Sequence, residues 1–120
     1  MMKIVALVYR KAGMSAKQFQ SYWVEKHGPL MVRTVPGILH YTQNVPDEKP
    51  GQSDDADGIA ELWFEDIDAL HDYLDWRETP DAQELRRDED VFQDVSRTRR
   101  YVVEEHTFKQ PQSTTTSLPG

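Results

Sequence analysis

The sequence contains no cysteine, which excludes disulfides, iron–sulfur clusters, thiolate zinc sites and a cysteine nucleophile. Positive charge is also scarce. Fourteen lysines and arginines stand against 21 aspartates and glutamates, so the net charge is −7. Nucleic acids and anionic membrane surfaces are bound by an excess of basic side chains, and we therefore expect neither as a partner.

Long apolar runs are missing as well, since no stretch approaches the ~20 residues that cross a bilayer. The opening MMKIVALVYRK is too short for a secretory signal and is typical of a strand. With 38% hydrophobic and 29% charged residues, the 120-residue chain suits one globular domain. We expect a cytoplasmic domain over residues 1–108 and a polar, flexible tail over residues 109–120.

Runs of apolar residues predict four strands, with a long polar loop over residues 46–57 between the second and the third. In the first strand the apolar residues fall on both faces, which is typical of a strand covered on both sides. The strands are expected at Met2 to Tyr9, Ile38 to Val45, Gly58 to Phe64 and Thr98 to Phe108.

Two long helices are predicted between these strands. Ser15 is the N-cap of the first helix, and Gln18 completes a capping box. Gly28 and Pro29 are expected to interrupt this helix directly after His27. Asp66 is the expected N-cap of the second helix.

The order strand, helix, strand, strand, helix, strand predicts an α+β fold, the ferredoxin-like βαββαβ arrangement. It has a four-stranded antiparallel sheet with both helices on one face. The other face carries apolar side chains that one chain leaves uncovered. We expect a second copy to cover it, sheet against sheet, in a homodimer. A ligand or another protein on this face is the alternative.

Five segments together resemble the EthD family of the dimeric α+β barrel superfamily, over roughly residues 2–108. They are YRKAGMSAKQFQSYW after the first strand, HGPL at His27 to Leu30, PGILHY at Pro36 to Tyr41, GIAELWF at Gly58 to Phe64, and DEDVFQD at Asp88 to Asp94.

The resemblance implies a homodimeric α+β barrel with a small-molecule cavity between sheet and helices in each protomer. Better understood members of the family act without metal or organic cofactor on cyclic, often phenolic or lactone-like compounds. They include a methylmuconolactone methylisomerase and fungal polyketide dehydratases. The family name constrains the fold better than the reaction.

His27 and Tyr41 are the candidate catalytic residues. An imidazole suits proton transfer near neutrality, and a phenol can donate to a developing oxyanion. The resemblance implies a site histidine and a site tyrosine at these positions. The alternatives are a histidine that complements the helix dipole and a core tyrosine with a satisfied hydroxyl.

Trp23, Trp63 and Glu61 are the candidate substrate-binding residues. Glu61 lies between apolar neighbours, which suits either an acid/base group of raised pKa or an interface ion pair. His40 points away from Tyr41 and is expected to face the dimer core. The four histidines are scattered without metal-ligand spacing, so no metal site is predicted.

These features favour a cofactor-independent isomerase, lyase or cyclase that transfers a proton on a small hydrophobic cyclic metabolite. The alternative is a non-catalytic small-molecule-binding or accessory dimer that supports an oxidoreductase.

Overall fold

The computed structural model describes residues 2–47 and 55–111. Part of the predicted loop (48–54) and most of the predicted tail (112–120) lie outside the described residues. Within the described part of the chain, no helix is both long and apolar enough to span a bilayer.

Four antiparallel strands form one sheet in the order β2-β3-β1-β4. All four predicted strands are confirmed, although the two edge strands are shorter than predicted. β4 stops at Glu104 because that residue already pairs with Met2, the first residue of β1. The strands are β1 (Met2–Val8), β2 (His40–Asn44), β3 (Gly58–Phe64) and β4 (Arg99–Glu104).

The first helix begins where the sequence predicts it. α1 (Ala16–Tyr22) follows Ser15, whose hydroxyl accepts a hydrogen bond from the Gln18 amide at 3.0 Å. The Gln18 side chain in turn accepts from the Ser15 amide at 2.9 Å. This capping box satisfies two backbone donors that the first helical turn leaves free.

The prediction that Gly28 and Pro29 interrupt the helix is wrong. The chain passes through a π-helical turn (Trp23–His27) directly into α2 (Gly28–Thr34). Proline has no N–H, and in a regular α-helix its ring collides with the carbonyl four residues back. The wider turn, in which the Gly28 amide bonds the Trp23 carbonyl, accommodates the proline. Helical geometry therefore continues past His27.

The second predicted helix is confirmed from its N-cap onward. The Asp66 carboxylate accepts from the Ala69 amide at 2.8 Å and starts α3 (Ile67–Trp76). A 3₁₀ turn (Pro80–Ala82) leads into α4 (Gln83–Phe92). The arrangement is the ferredoxin-like βαββαβ fold that the element order predicts.

The two faces of the sheet differ in burial, because successive side chains of a strand point to opposite sides. On β3, Ala60, Leu62 and Phe64 are buried beneath the helices. Ile59, Glu61 and Trp63 alternate with them and are only half-buried. We call this second side the open face. Its side chains come from all four strands and comprise Lys3, Val5, Leu7, His40, Thr42, Asn44, Ile59, Glu61, Trp63, Arg99, Tyr101 and Val103.

Candidate functional site

A small cavity of about 30 Å³ lies between the sheet and the helical layer. Small apolar side chains of the central strands, such as Ala6 and Ala60, form its floor. His27, Tyr41 and Trp23 all line it. The structure thus brings three of the five predicted site residues together around a space that holds one or two water molecules.

The π-helical turn places His27 inside the protein, where only 4% of the residue is exposed. Its Nδ1 lies 2.9 Å from Oδ2 of Asp88, and its ring packs on Phe92 at 4.8 Å between centroids. A carboxylate can only accept, so Nδ1 carries the hydrogen and Nε2 is the basic nitrogen. Within residues 2–47 and 55–111, Nε2 has no hydrogen-bond partner.

Burial lowers the pKa of His27 below its ordinary value, although the hydrogen bond to Asp88 opposes this shift. The ring is therefore neutral near pH 7, and its contact with Asp88 is a hydrogen bond rather than an ion pair. A neutral imidazole with a fixed tautomer is ready to accept a proton at Nε2.

Asp88 is held on its second oxygen by Tyr22, whose hydroxyl donates to Oδ1 at 2.5 Å. This hydrogen bond, together with burial, raises the pKa of Tyr22 to about 12, so the phenol remains a donor. In the sequence, Asp88 stands within the DEDVFQD segment and has no predicted role of its own. The missing information is tertiary, because Asp88 lies 61 residues from His27.

Tyr41 points from β2 into the cavity. The Gln43 amide donates to its hydroxyl oxygen at 2.9 Å and also to the Trp23 carbonyl at 2.9 Å. Because the Tyr41 oxygen accepts from Gln43, its own O–H is free to donate. Burial raises the pKa of Tyr41, which keeps that proton in place near neutrality.

A charge cluster lies beside the cavity, and two of its members, Glu89 and Arg100, line the cavity wall. Arg77 binds both oxygens of Glu89, at 2.6 and 3.0 Å, and also donates to Tyr73 at 3.1 Å. Burial is the strongest single influence and acts to lower the pKa of Arg77, but the hydrogen bonds and charge interactions with Glu89 and Tyr73 together raise the pKa. Arg100 approaches the same carboxylate at 3.6 Å. No sequence pattern indicates this cluster either, because its members belong to separate secondary-structure elements that only the tertiary fold brings together.

Trp63 and Glu61 do not line this cavity, and the expectation that they share a pocket with Trp23 needs correcting. Both occupy the open face, since they alternate along β3 with the buried Leu62. Lys3 donates to Glu61 at 2.8 Å, and this hydrogen bond lowers the pKa of Glu61. Glu61 thus forms an ion pair with Lys3 of its own chain, and its pKa is lowered rather than raised.

The rest of the open face near Trp63 is polar. Its indole donates to Glu105 at 2.9 Å, and its ring lies 4.6 Å from that of His40. His40 thus faces away from the cavity, as predicted. In the part of the chain that the structure describes, no three acidic or histidine side chains come together as metal ligands would.

These observations define an α+β protein of ferredoxin-like topology with a histidine–aspartate pair at an internal cavity. The model of the EthD domain matches residues 11–96, and the chain belongs to this family. Among curated proteins, none matches the sequence.

Several solved structures share the fold. An EthD family protein of Bacillus halodurans is 19% identical, with 88% of this chain and 99% of that one covered and a TM-score of 0.65. A protein of Arabidopsis thaliana is 15% identical over 92% and 100% of the two chains, with a TM-score of 0.66. SnoaB of Streptomyces nogalater, a cofactor-independent oxygenase, is 14% identical over 91% and 97%, with a TM-score of 0.60.

Proposed function

We propose that this protein is a cofactor-independent enzyme that transfers a proton on a small cyclic metabolite of the phenolic or lactone type. The observation that carries the proposal is the contact of His27 with Asp88, which leaves Nε2 of this buried side chain available as a base at the cavity. Pairing with a carboxylate fixes the tautomer and stabilises the imidazolium that forms when the base takes a proton.

The chemistry follows from the two groups that line the cavity. Nε2 of His27 removes a proton from a carbon next to a carbonyl, and the Tyr41 hydroxyl donates to the oxygen that gains negative charge. The imidazolium then returns the proton to another carbon, which gives an isomer, or to a leaving hydroxyl group, which gives dehydration. Neither outcome consumes an oxidant or a reductant.

The volume of about 30 Å³ requires lining side chains to move when a ring binds. Met31, which lines the cavity, is unbranched and adapts readily to a new shape. The second candidate function is a non-catalytic small-molecule-binding or accessory dimer, and the small volume favours its accessory form.

We further propose that the protein is a homodimer paired through the open face. Support comes from its apolar side chains and from structural neighbours described as dimeric, such as a ferredoxin-like protein of Jannaschia at 12% identity and a TM-score of 0.58.

The test is exchange of α-hydrogens for deuterium in a panel of cyclic ketones and lactones, followed by NMR. We expect wild-type protein to accelerate exchange of at least one compound, and His27→Ala to lose roughly 10²- to 10⁴-fold of that rate. His106→Ala is the matched control, because the His106 side chain is 70% exposed. Equal exchange rates for wild type and His27→Ala contradict the proposal. Saturable binding of a compound by both, with exchange by neither, supports the accessory function.

A further inference from the structure

We propose that Arg100 binds a carboxylate group of the substrate at the cavity. This inference rests on the proposed function for the location of the site. It adds the chemical class of the ligand, a cyclic compound that carries a carboxylate.

The cluster at this part of the wall has more positive than negative charge. Arg77 and Arg100 carry two positive charges, whereas Glu89 supplies one negative charge. Both oxygens of Glu89 already accept from Arg77 in a two-point contact. The Glu89 carboxylate therefore compensates the charge of Arg100 less than that of Arg77.

The guanidinium of Arg100 keeps its donors available. Its nearest acidic atom in the described part of the chain is Oε2 of Glu89, 3.6 Å from Nη2, which is longer than a hydrogen bond. Across residues 2–47 and 55–111, the Arg100 side chain makes no hydrogen bond. Only 28% of this side chain is exposed, so water compensates the charge in part.

The position of Arg100 is that of a residue that contacts a ligand. It pairs with the buried Ala6 across the sheet, so its side chain lies on the helix side of β4. It lines the same cavity as His27 and Tyr41. A ligand there meets a base, a phenol and a guanidinium.

A planar guanidinium matches a carboxylate through two parallel hydrogen bonds and keeps its charge at any physiological pH. A carboxylate at Arg100 would compensate the excess positive charge and fix the orientation of the ring. The enolisable carbon could then be presented to Nε2 of His27.

A purely structural role predicts something different. If Arg100 only stabilises Glu89, its removal should destabilise the fold and leave ligand binding unchanged. Glu89 keeps both hydrogen bonds from Arg77 in Arg100→Gln, and the repulsion between the two guanidinium groups disappears. We therefore expect this variant to be at least as stable as the wild type.

The experiment compares benzoate with benzamide, which has the same ring but no charge, in NMR titrations of the full chain. We expect the wild type to bind benzoate roughly tenfold or more tightly than benzamide. Arg100→Gln should lose that preference, and Arg100→Lys should keep part of it. Arg33→Gln is the matched control, because Arg33 lies on the outer surface of α2 with 64% of its side chain exposed.

Three results would overturn the proposal: no saturable binding of benzoate by the wild type, equal affinity for the two probes, or unchanged benzoate affinity in Arg100→Gln. The benzoate titration measures binding and needs no turnover. A charge preference that Arg100→Gln abolishes would therefore support this proposal even if no compound undergoes exchange, whereas the exchange assay tests the proposed catalysis alone.

Discussion

At the scale of single residues, His27 is a histidine whose two nitrogens have different roles. Nδ1 is committed to Asp88, whereas Nε2 stays available as a base. Burial in an apolar setting disfavours the charged ring and lowers its pKa. The same desolvation makes stability depend on pH, because a buried neutral histidine resists protonation only while the protein is folded.

The first prediction concerns this linkage. The folded pKa of His27 lies below the unfolded value of about 6.5, so the unfolded chain binds more protons between the two values. The contribution of His27 to the free energy of unfolding is therefore fully present above about pH 6.5 and falls as the pH drops toward the folded pKa. Relative to His27→Gln, we expect the wild type to be more stable at about pH 8 than at about pH 5 in urea titrations.

His106→Gln is the control for this comparison and should follow the wild type at both pH values, because His106 is exposed. A stability difference between wild type and His27→Gln that grows as the pH falls would contradict the prediction.

Individual site residues were predictable to different degrees. Strand alternation was enough to place Tyr41 and His40 on opposite faces. Strand alternation also shows that Trp63 and Trp23 lie on different sides of the sheet, but only once it is known which face of β3 the helices cover. The partners of His27 depend on how α4 packs beside the π-helical turn, and no local pattern encodes that distance. Asp88, Glu89 and Arg100 therefore emerged only from the structure.

At the scale of secondary structure, β3 and the π-helical turn approach each other closely at Gly58. A Cβ added to Gly58, the first residue of β3, would lie 2.6 Å from two ring atoms of Trp23. Trp23 is 1% exposed, so its ring has little room to retreat. Because Gly58 has no side chain, the Trp23 ring can pack directly against the backbone of β3.

We expect Gly58→Ala to destabilise the protein by about 1–3 kcal/mol, because the extra methyl overfills a packed site. Chemical denaturation measures the change. In a Trp23→Leu background, which removes the ring, the same substitution should cost clearly less, and the double-mutant cycle would then be non-additive. Additive effects would show that the contact with the Trp23 ring is not the cause of the destabilisation by Gly58→Ala.

Helix boundaries illustrate what sequence rules miss. The capping box at Ser15 and the cap at Asp66 were predictable, because both depend on residues three positions apart. Gly28 and Pro29 predict an interruption after His27, since proline interrupts a regular helix. A π-helical turn removes that conflict locally, and nothing in the sequence distinguishes this outcome from a true break.

At the scale of the whole molecule, the open face is the side of the sheet that the helices of the chain do not cover. Polar pairs such as Lys3 with Glu61 cover part of this surface. Ile59 and Tyr101 are apolar or aromatic side chains on the same face, and Tyr101 is 51% exposed. Counting layers from the sequence was sufficient to identify this face, because two helices can cover only one side of a sheet.

An unpaired charge introduced at an apolar position of the open face should therefore prevent pairing. In Ile59→Lys, two symmetry-related ammonium groups would have to be buried in the interface, which costs more than the apolar contact returns. We expect the wild type to sediment at twice the 14.0 kDa of one chain and this variant to sediment at the mass of a single chain. Val32→Lys, which changes a 65% exposed valine in the helical layer, should remain dimeric. A folded wild type that sediments as one chain at micromolar concentration, or an Ile59→Lys variant that still pairs, would rule out the open face as the dimer interface.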